Sequence, residues 1–243
     1  MPCAISSAGC WREMTEGAPS GTLVLVGTPI GNLGDLAPRA SQALAEADVI
    51  FAEDTRRSSR LVPAGSRLVS YFDSNAASRQ ELLLGLLREG RKVALVTDAG
   101  MPGISDPCFR AVRTAIDAGA KVEVIPGPCA AIAALVASGL PPDRFVFEGF
   151  LPGRRGRKAS RLAGLASEPR TMVFYIPPHD LPGDLEAMLE AFGDRQACVA
   201  REMTKIHEEL VRGNLSTLLS EFTRRAPRGE VTLVVAGCAT LTN

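Results

Sequence analysis

At 243 residues and 46% hydrophobic side chains, the chain can bury one large domain or two small ones and is too apolar for general disorder. Its 27 basic and 27 acidic residues cancel, which excludes a globally basic nucleic-acid coat. No apolar run reaches the roughly 18–20 residues that span a bilayer, so no membrane partner is expected.

Residues 1–20 lack the apolar core of a signal peptide and read as a flexible leader, which makes the cytoplasm the expected compartment. Strand-like runs then fall at 22–27, 48–52, 67–71, 92–97 and 121–125. Amphipathic runs near 36–47, 76–89 and 107–119 separate them. This βαβα rhythm predicts a mostly parallel sheet covered by helices on both faces. "PGPCAA" at 126–131 ends the pattern, since proline cannot continue a strand but can open a helix. Beyond it, strands fit 144–149, 171–176, 197–201, 208–212 and 230–236, with helices near 157–167, 184–192 and 214–225. "HEELVRGNL" and "RGEVTLVVAG" allow antiparallel pairs, so the second sheet should be mixed. The expected organisation is a leader (1–20), an N-terminal α/β domain (21–127) and a C-terminal α/β domain (128–243).

Six cysteines form no C-x-x-C pair, and there are only two histidines, His179 and His207. A zinc ribbon, a redox motif, a histidine metal site and a Ser-His-Asp triad are all disfavoured, and no metal is expected. Ligands of a parallel α/β sheet bind beyond the carboxyl ends of its strands. Four loops stand there: "GTPIGNL", "AEDTRRSSR", "TDAGMPGISDP" and "PGPCAA". Three are dense in glycine and proline, which build a rigid slot of backbone groups suited to an adenosine-like ligand. The first fits neither G-x-G-x-x-G nor G-x-x-x-x-G-K-[ST], so it is not read as a phosphate cradle. Asp98, at the end of a strand, faces the expected crevice, whereas Asp106 reads as a helix cap. "GRRGRKASR" concentrates Arg154, Arg155, Arg157 and Lys158, which suit RNA phosphates or simply a solvated helix start.

The motifs "TPIGNL", "AEDTR", "DAG-x-P-x-IS-DP", "PGPCAAI", "SGLP-x-DRF-x-FEGFLP", "FY", "ARE-x-TK-x-x-EE-x-x-RG" and "RGE" follow in this order. Over about residues 21–237 the chain resembles the bacterial small-subunit ribosomal RNA methyltransferase I family of the tetrapyrrole methylase superfamily. The resemblance implies a two-domain tetrapyrrole-methylase-like α/β fold with S-adenosylmethionine bound between the domains. It implies 2′-O-methylation of a cytidine in the decoding centre of 16S rRNA, acting on the 30S ribosomal subunit as a homodimer. It would place Pro29, Ile30, Ala99, Gly100, Ile104, Cys129, Ala130, Ile176 and Met203 at the cofactor, with Asp98 beside them. The chain departs from the family at Met101, Cys108, Ile176, Asp180 and "YFDSN", where only Asn75 matches.

A ribose hydroxyl is weakly acidic, so a base or cation should assist its attack on a methyl donor. Lys205, Glu202 and Arg56 lie in the best-matching polar motifs and are the expected catalytic residues. Two alternatives remain: a small-molecule, tetrapyrrole-type methylase on the same fold, and a non-catalytic RNA-binding assembly factor. The basic loop next to the expected cleft favours RNA.

Overall fold

The β-branched run after Gly21 becomes β1 (Thr22–Val26), the inner strand of the first sheet. The computed structural model describes residues 21–72, 74–225 and 227–238; the expected leader lies outside the described residues. The chain forms two compact units, one holding the residues up to Thr28 and Ala37–Gly127, the other Pro29–Leu36 and everything from Pro128.

In the first unit β2 (Val49–Ala52), β3 (Leu68–Ser70), β4 (Lys92–Val96) and β5 (Lys121–Ile125) join β1 in the order β3-β2-β4-β1-β5. Every pairing in this sheet is parallel. The helices are α1 (Pro38–Ala45), α2 (Thr55–Ser58), α3 (Ala76–Arg88) and α4 (Cys108–Asp117). In α3, Leu83, Leu86 and Leu87 stand on one face at helical spacing and are buried. They pack in one core with Leu23, Phe51, Val93 and Leu95 of the strands. The four-residue α2 was not expected from the sequence.

The second unit holds α5 (Ala130–Ser138), β6 (Phe145–Phe150), α6 (Arg155–Leu165), β7 (Thr171–Ile176) and α7 (Leu181–Phe192). It continues with β8 (Gln196–Arg201), β9 (Glu209–Asn214), α8 (Leu215–Arg224) and β10 (Val231–Val235). Its sheet has the order β6-β7-β10-β8-β9. Only β6 and β7 run parallel, so the sheet is mixed. Strand alternation divides its core. Met172, Phe174 and Ile176 of β7 pack with residues of α6, α7 and α8 on one face. Val173 and Tyr175 turn to the other face, against α5. Among the described residues, no helix is long and apolar enough to cross a membrane.

The exit from β1 is set by a contact between two backbones. The Gly27 amide donates to the Ile125 carbonyl at 3.0 Å. A Cβ on Gly27 would lie 2.6 Å from the Gly127 Cα, and one on Gly127 would lie 2.7 Å from the Gly27 Cα. Neither position can hold a side chain unless the backbone shifts. Gly27→Ala or Gly127→Ala should therefore cost about 1–3 kcal/mol, read as a lower urea midpoint. Gly85→Ala, inside α3 with nothing within 4 Å of the added carbon, should raise stability by about 0.5–1 kcal/mol. A midpoint for Gly27→Ala equal to that of the unmodified chain would refute the close-approach reading.

Candidate active site

In the first unit the loops after β1, β2 and β4 are tied together by polar contacts. The Thr28 amide donates to the Gly100 carbonyl at 3.0 Å, and its buried hydroxyl reaches the Thr97 and Gly100 carbonyls at 3.3 Å. The Asp98 carboxylate accepts the Asp54 amide at 2.8 Å and pairs with Arg57 at 3.2 Å. Asp98 thus bolts the end of β4 to the start of α2. Each of its oxygens keeps acceptor capacity for a further donor.

Asp54 caps α2, accepting the Arg56 amide at 2.9 Å. The Arg56 guanidinium, then the Arg56 amide, hold the Asp54 carboxyl down at about 2. Arg56, expected as a catalytic residue, spends its guanidinium on this neighbour while its side chain is 90% exposed. The pair is local to its own turn. Asp106 accepts the Cys108 and Gly103 amides at 2.8 and 2.7 Å, the capping work expected of it, although Pro107 holds the N-cap position itself. Between them Ser105 takes φ = 64°, and Ile104 leaves an apolar side chain 39% exposed at the rim of the same loop.

In the second unit three sequence motifs meet around one lysine. Lys205 Nζ donates to Glu202 at 2.9 Å and to Glu230 at 3.1 Å. The same Glu202 oxygen accepts the Glu230 amide at 2.8 Å. Burial alone would push the Lys205 ammonium down, but Glu202 and Glu230 outweigh it and its value ends raised. Burial likewise pushes the Glu202 carboxyl up, and the hydrogen bonds from Lys205 and the Glu230 amide bring it below the usual carboxylate value. Both groups are therefore charged at neutral pH.

Two glycines make room for this pair. A Cβ on Gly31 would lie 2.4 Å from the Lys205 Cγ and 2.9 Å from the Thr204 Oγ1. One on Gly229 would strike the Glu202 carboxylate at 2.2 Å. The turn itself is strained, with Glu202 at φ = 51° and Thr204 at φ = 66°. The Thr204 hydroxyl is buried without a hydrogen-bond partner. Sequence reading named Glu202 and Lys205 but not Glu230, although "RGE" stood among the quoted motifs.

The expected cofactor residues of this unit fall into three groups. Cys129 and Met203 pack on the α5 face of the sheet, together with Tyr175. Pro29 and Ile30 are buried just before Gly31, and Ala130 opens α5. The side chain of Ile176 instead enters the opposite core, because alternation along β7 turns it away from Tyr175. Only its backbone remains for a ligand on the α5 face, which corrects the expectation. Helix α5 is held at both ends: the Tyr175 hydroxyl accepts the Ala131 amide at 3.3 Å, and Arg212 donates to the Ala137 and Ser138 carbonyls.

The basic segment also divides by face. Arg154, Arg155 and Arg157 are exposed at the start of α6. Lys158 turns inward to pair with Asp184 of α7, whose side chain is 2% exposed. It is a structural anchor rather than a free phosphate ligand, which corrects the expectation for this residue.

The sequence model of the family described as Tetrapyrrole (Corrin/Porphyrin) Methylases matches residues 22–219. The ribosomal RNA small subunit methyltransferase I of Thermotoga maritima is 45% identical over 221 residues, 89% of this chain and 99% of that protein. The protein of the same name from Synechocystis is 46% identical over 221 residues, 89% of this chain and 79% of its own length. Among solved structures, the methyltransferase CobJ aligns with a TM-score of 0.70 at 24% identity, covering 92% of this chain and 97% of that one. The uroporphyrin-III C-methyltransferase of Thermus thermophilus aligns at 0.63 and 25% identity, covering 89% and 94%.

Removing Lys158 strands a buried carboxylate, so Lys158→Met should lower stability by about 3–5 kcal/mol in urea unfolding, while Arg157→Ala leaves it unchanged. Equal effects would show that Lys158 is not an anchor. The Glu202 contribution is present above its unfolded value near 4.5 and disappears as pH falls through its lower folded value. The stability difference between the unmodified chain and Glu202→Gln should therefore be measurable at pH 7 and fade below pH ~4. A difference that stays constant across that range would count against the Lys205 pairing.

Proposed function

Because the chain belongs to the tetrapyrrole methylase family, and within it to the ribosomal RNA small subunit methyltransferase I group, we propose that it methylates 16S rRNA with S-adenosylmethionine as donor. The acceptor is the ribose 2′-oxygen of a cytidine in the decoding centre, reached on the 30S subunit by a cytoplasmic homodimer. The observation that carries this reading is 45% identity along almost the whole length of a small-subunit rRNA methyltransferase. A caged cation beside a loop of glycine and proline, with free arginines in the same unit, is chemistry of the required kind.

The residues present fit the donor. An adenosine and a thioether stem need apolar faces and backbone edges more than charged partners. Ile104 offers an exposed apolar side chain beside the Asp98, Ala99 and Gly100 backbone. In the second unit Pro29, Ile30, Cys129, Ala130 and Met203 supply largely apolar surface, and the unpartnered Thr204 hydroxyl lies under the same turn. When bound, the donor supplies an electrophilic methyl group on a sulfonium.

The chain's own contribution is positioning and charge. Lys205 carries three N–H donors, and Glu202 and Glu230 take two of them. The third is free to donate to the ribose oxygen and stabilise the negative charge that develops there. Glu202, with its carboxyl value lowered and its oxygen committed to two donors, is a poor proton acceptor. The pair thus works as a fixed cation rather than as a general base. Arg154, Arg155 and Arg157 hold phosphates of the RNA.

Lys205→Ala should bind S-adenosylmethionine in calorimetry about as well as the unmodified chain yet transfer methyl groups ~100-fold or more slowly. Full-rate methylation by this variant would remove Lys205 from the mechanism. Changing Arg154, Arg155 and Arg157 to Gln should weaken binding of a 16S rRNA fragment and reduce its salt slope by about 0.7 per lost phosphate contact. Ribose-methylation mapping of the product tests the cytidine assignment directly.

A further inference from the structure

A second basic surface lies at the other end of the second unit, in "TRRAPRGE", which none of the roles above uses. Arg201 at the end of β8, Arg225 after α8 and Arg228 before β10 converge there from three elements. With Phe222 and Pro227 they line a cavity of about 160 Å³, too small for a nucleoside but roomy enough for a phosphate group. Arg201 bonds Glu209 at 3.1 Å and the Arg228 carbonyl at 3.0 Å. Arg225 bonds Glu209 and Glu221, both at 2.8 Å, and lies over the Phe222 ring.

These contacts orient guanidinium groups without neutralising the patch. Arg201, Arg224, Arg225 and Arg228 face two paired carboxylates, Glu209 and Glu221, which leaves two positive charges. Arg224 spends one N–H on the Ser220 carbonyl, and the exposed side chain of Arg228 has no hydrogen bond or ion pair among the described residues. By contrast, the groove beside α6 sets Arg155 and Lys158 against Asp180, Glu186 and Glu190 and carries no such excess.

The position matters as much as the charge. Arg228 is followed by Gly229, which packs on the Glu202 carboxylate, and then by Glu230, which holds Lys205. Two residues of extended chain span at most ~7 Å, so a phosphate on Arg228 stands close to the caged ammonium. We infer that Arg228 and Arg224, oriented by the Arg201–Glu209–Arg225 network, form a second phosphodiester-binding site that grips the RNA backbone beside the reacting nucleotide. This inference rests on the RNA-methylation reading. A guanidinium fork is the side chain best matched to a phosphodiester, and each contact adds to salt dependence.

The test compares the full chain with R224Q/R228Q and with R154Q/R155Q/R157Q. Binding of a 16S rRNA fragment is measured at several salt concentrations, alongside S-adenosylmethionine calorimetry and urea unfolding. R224Q/R228Q should weaken RNA binding at least ~10-fold and lower the salt slope by about 1.4, with cofactor affinity and stability unchanged. KM for RNA should rise more than kcat falls. R228Q alone, which removes a side chain that touches nothing, should give about half the slope change. If RNA binding is unaltered in R224Q/R228Q but weakened in R154Q/R155Q/R157Q, the second site is wrong and the RNA reading stands. If neither variant changes RNA binding, both fall. Stabilisation of the unmodified chain by inorganic phosphate, lost in R224Q/R228Q without any change in RNA affinity, would identify a free-anion site and overturn the proposal.

Discussion

The contact between Gly27 and Gly127 is the constraint on which the rest of the molecule depends. Two backbones that meet with no room for a Cβ force β1 and β5 to end side by side. The chain passes from the first unit to the second directly after each glycine, at Thr28/Pro29 and at Gly127/Pro128. Each crossing is followed by proline, which fixes φ and offers no amide for further sheet pairing. The parallel sheet therefore stops at one level, and the Thr28 hydroxyl and Asp98 carboxylate tie its crest there.

What the first unit achieves with backbone contact, the second achieves with charge. The turn from Glu202 to Lys205 holds two non-glycine residues at positive φ, each costing on the order of 1–3 kcal/mol. The compensation is a closed set of charge-assisted hydrogen bonds among Glu202, Lys205 and the Glu230 amide. An ordinary surface ion pair would not hold such a turn. This one is partly buried and walled by Gly31 and Gly229, so the ammonium cannot swing away. A cation fixed before substrate arrives needs little reorganisation when charge develops beside it.

The parallel first sheet, the mixed second sheet and nearly every helix were legible in hydrophobic periodicity. Their strands are short apolar runs and their helices long amphipathic ones, where pattern is least ambiguous. Helix α2 escaped because four residues cannot show a period; only its cap, Asp54, left a trace. The motif residues Lys205 and Glu202 were found, but their partner Glu230 lies 25 residues further on and is joined only by tertiary structure. Lys158 and Arg157 look alike in sequence. A buried Asp184 on a different helix decides that one faces inward. Ile176 shows the same limit: its motif position was clear, yet the side of the sheet it faces depends on register.

Pro29–Leu36 belongs with the second unit although it is made near the start of the chain. Gly31 packs on Lys205, which leaves the ribosome on the order of ten to thirty seconds later at ordinary synthesis rates. The first sheet can assemble around β1 meanwhile, but the strand's own exit loop must wait, unpacked, for the far end of the polypeptide. Vectorial folding from the N-terminus therefore cannot complete either unit alone. The loop that leaves the first strand settles only when synthesis is nearly over, so a nascent chain halted before Lys205 keeps its methyl-transfer machinery unassembled.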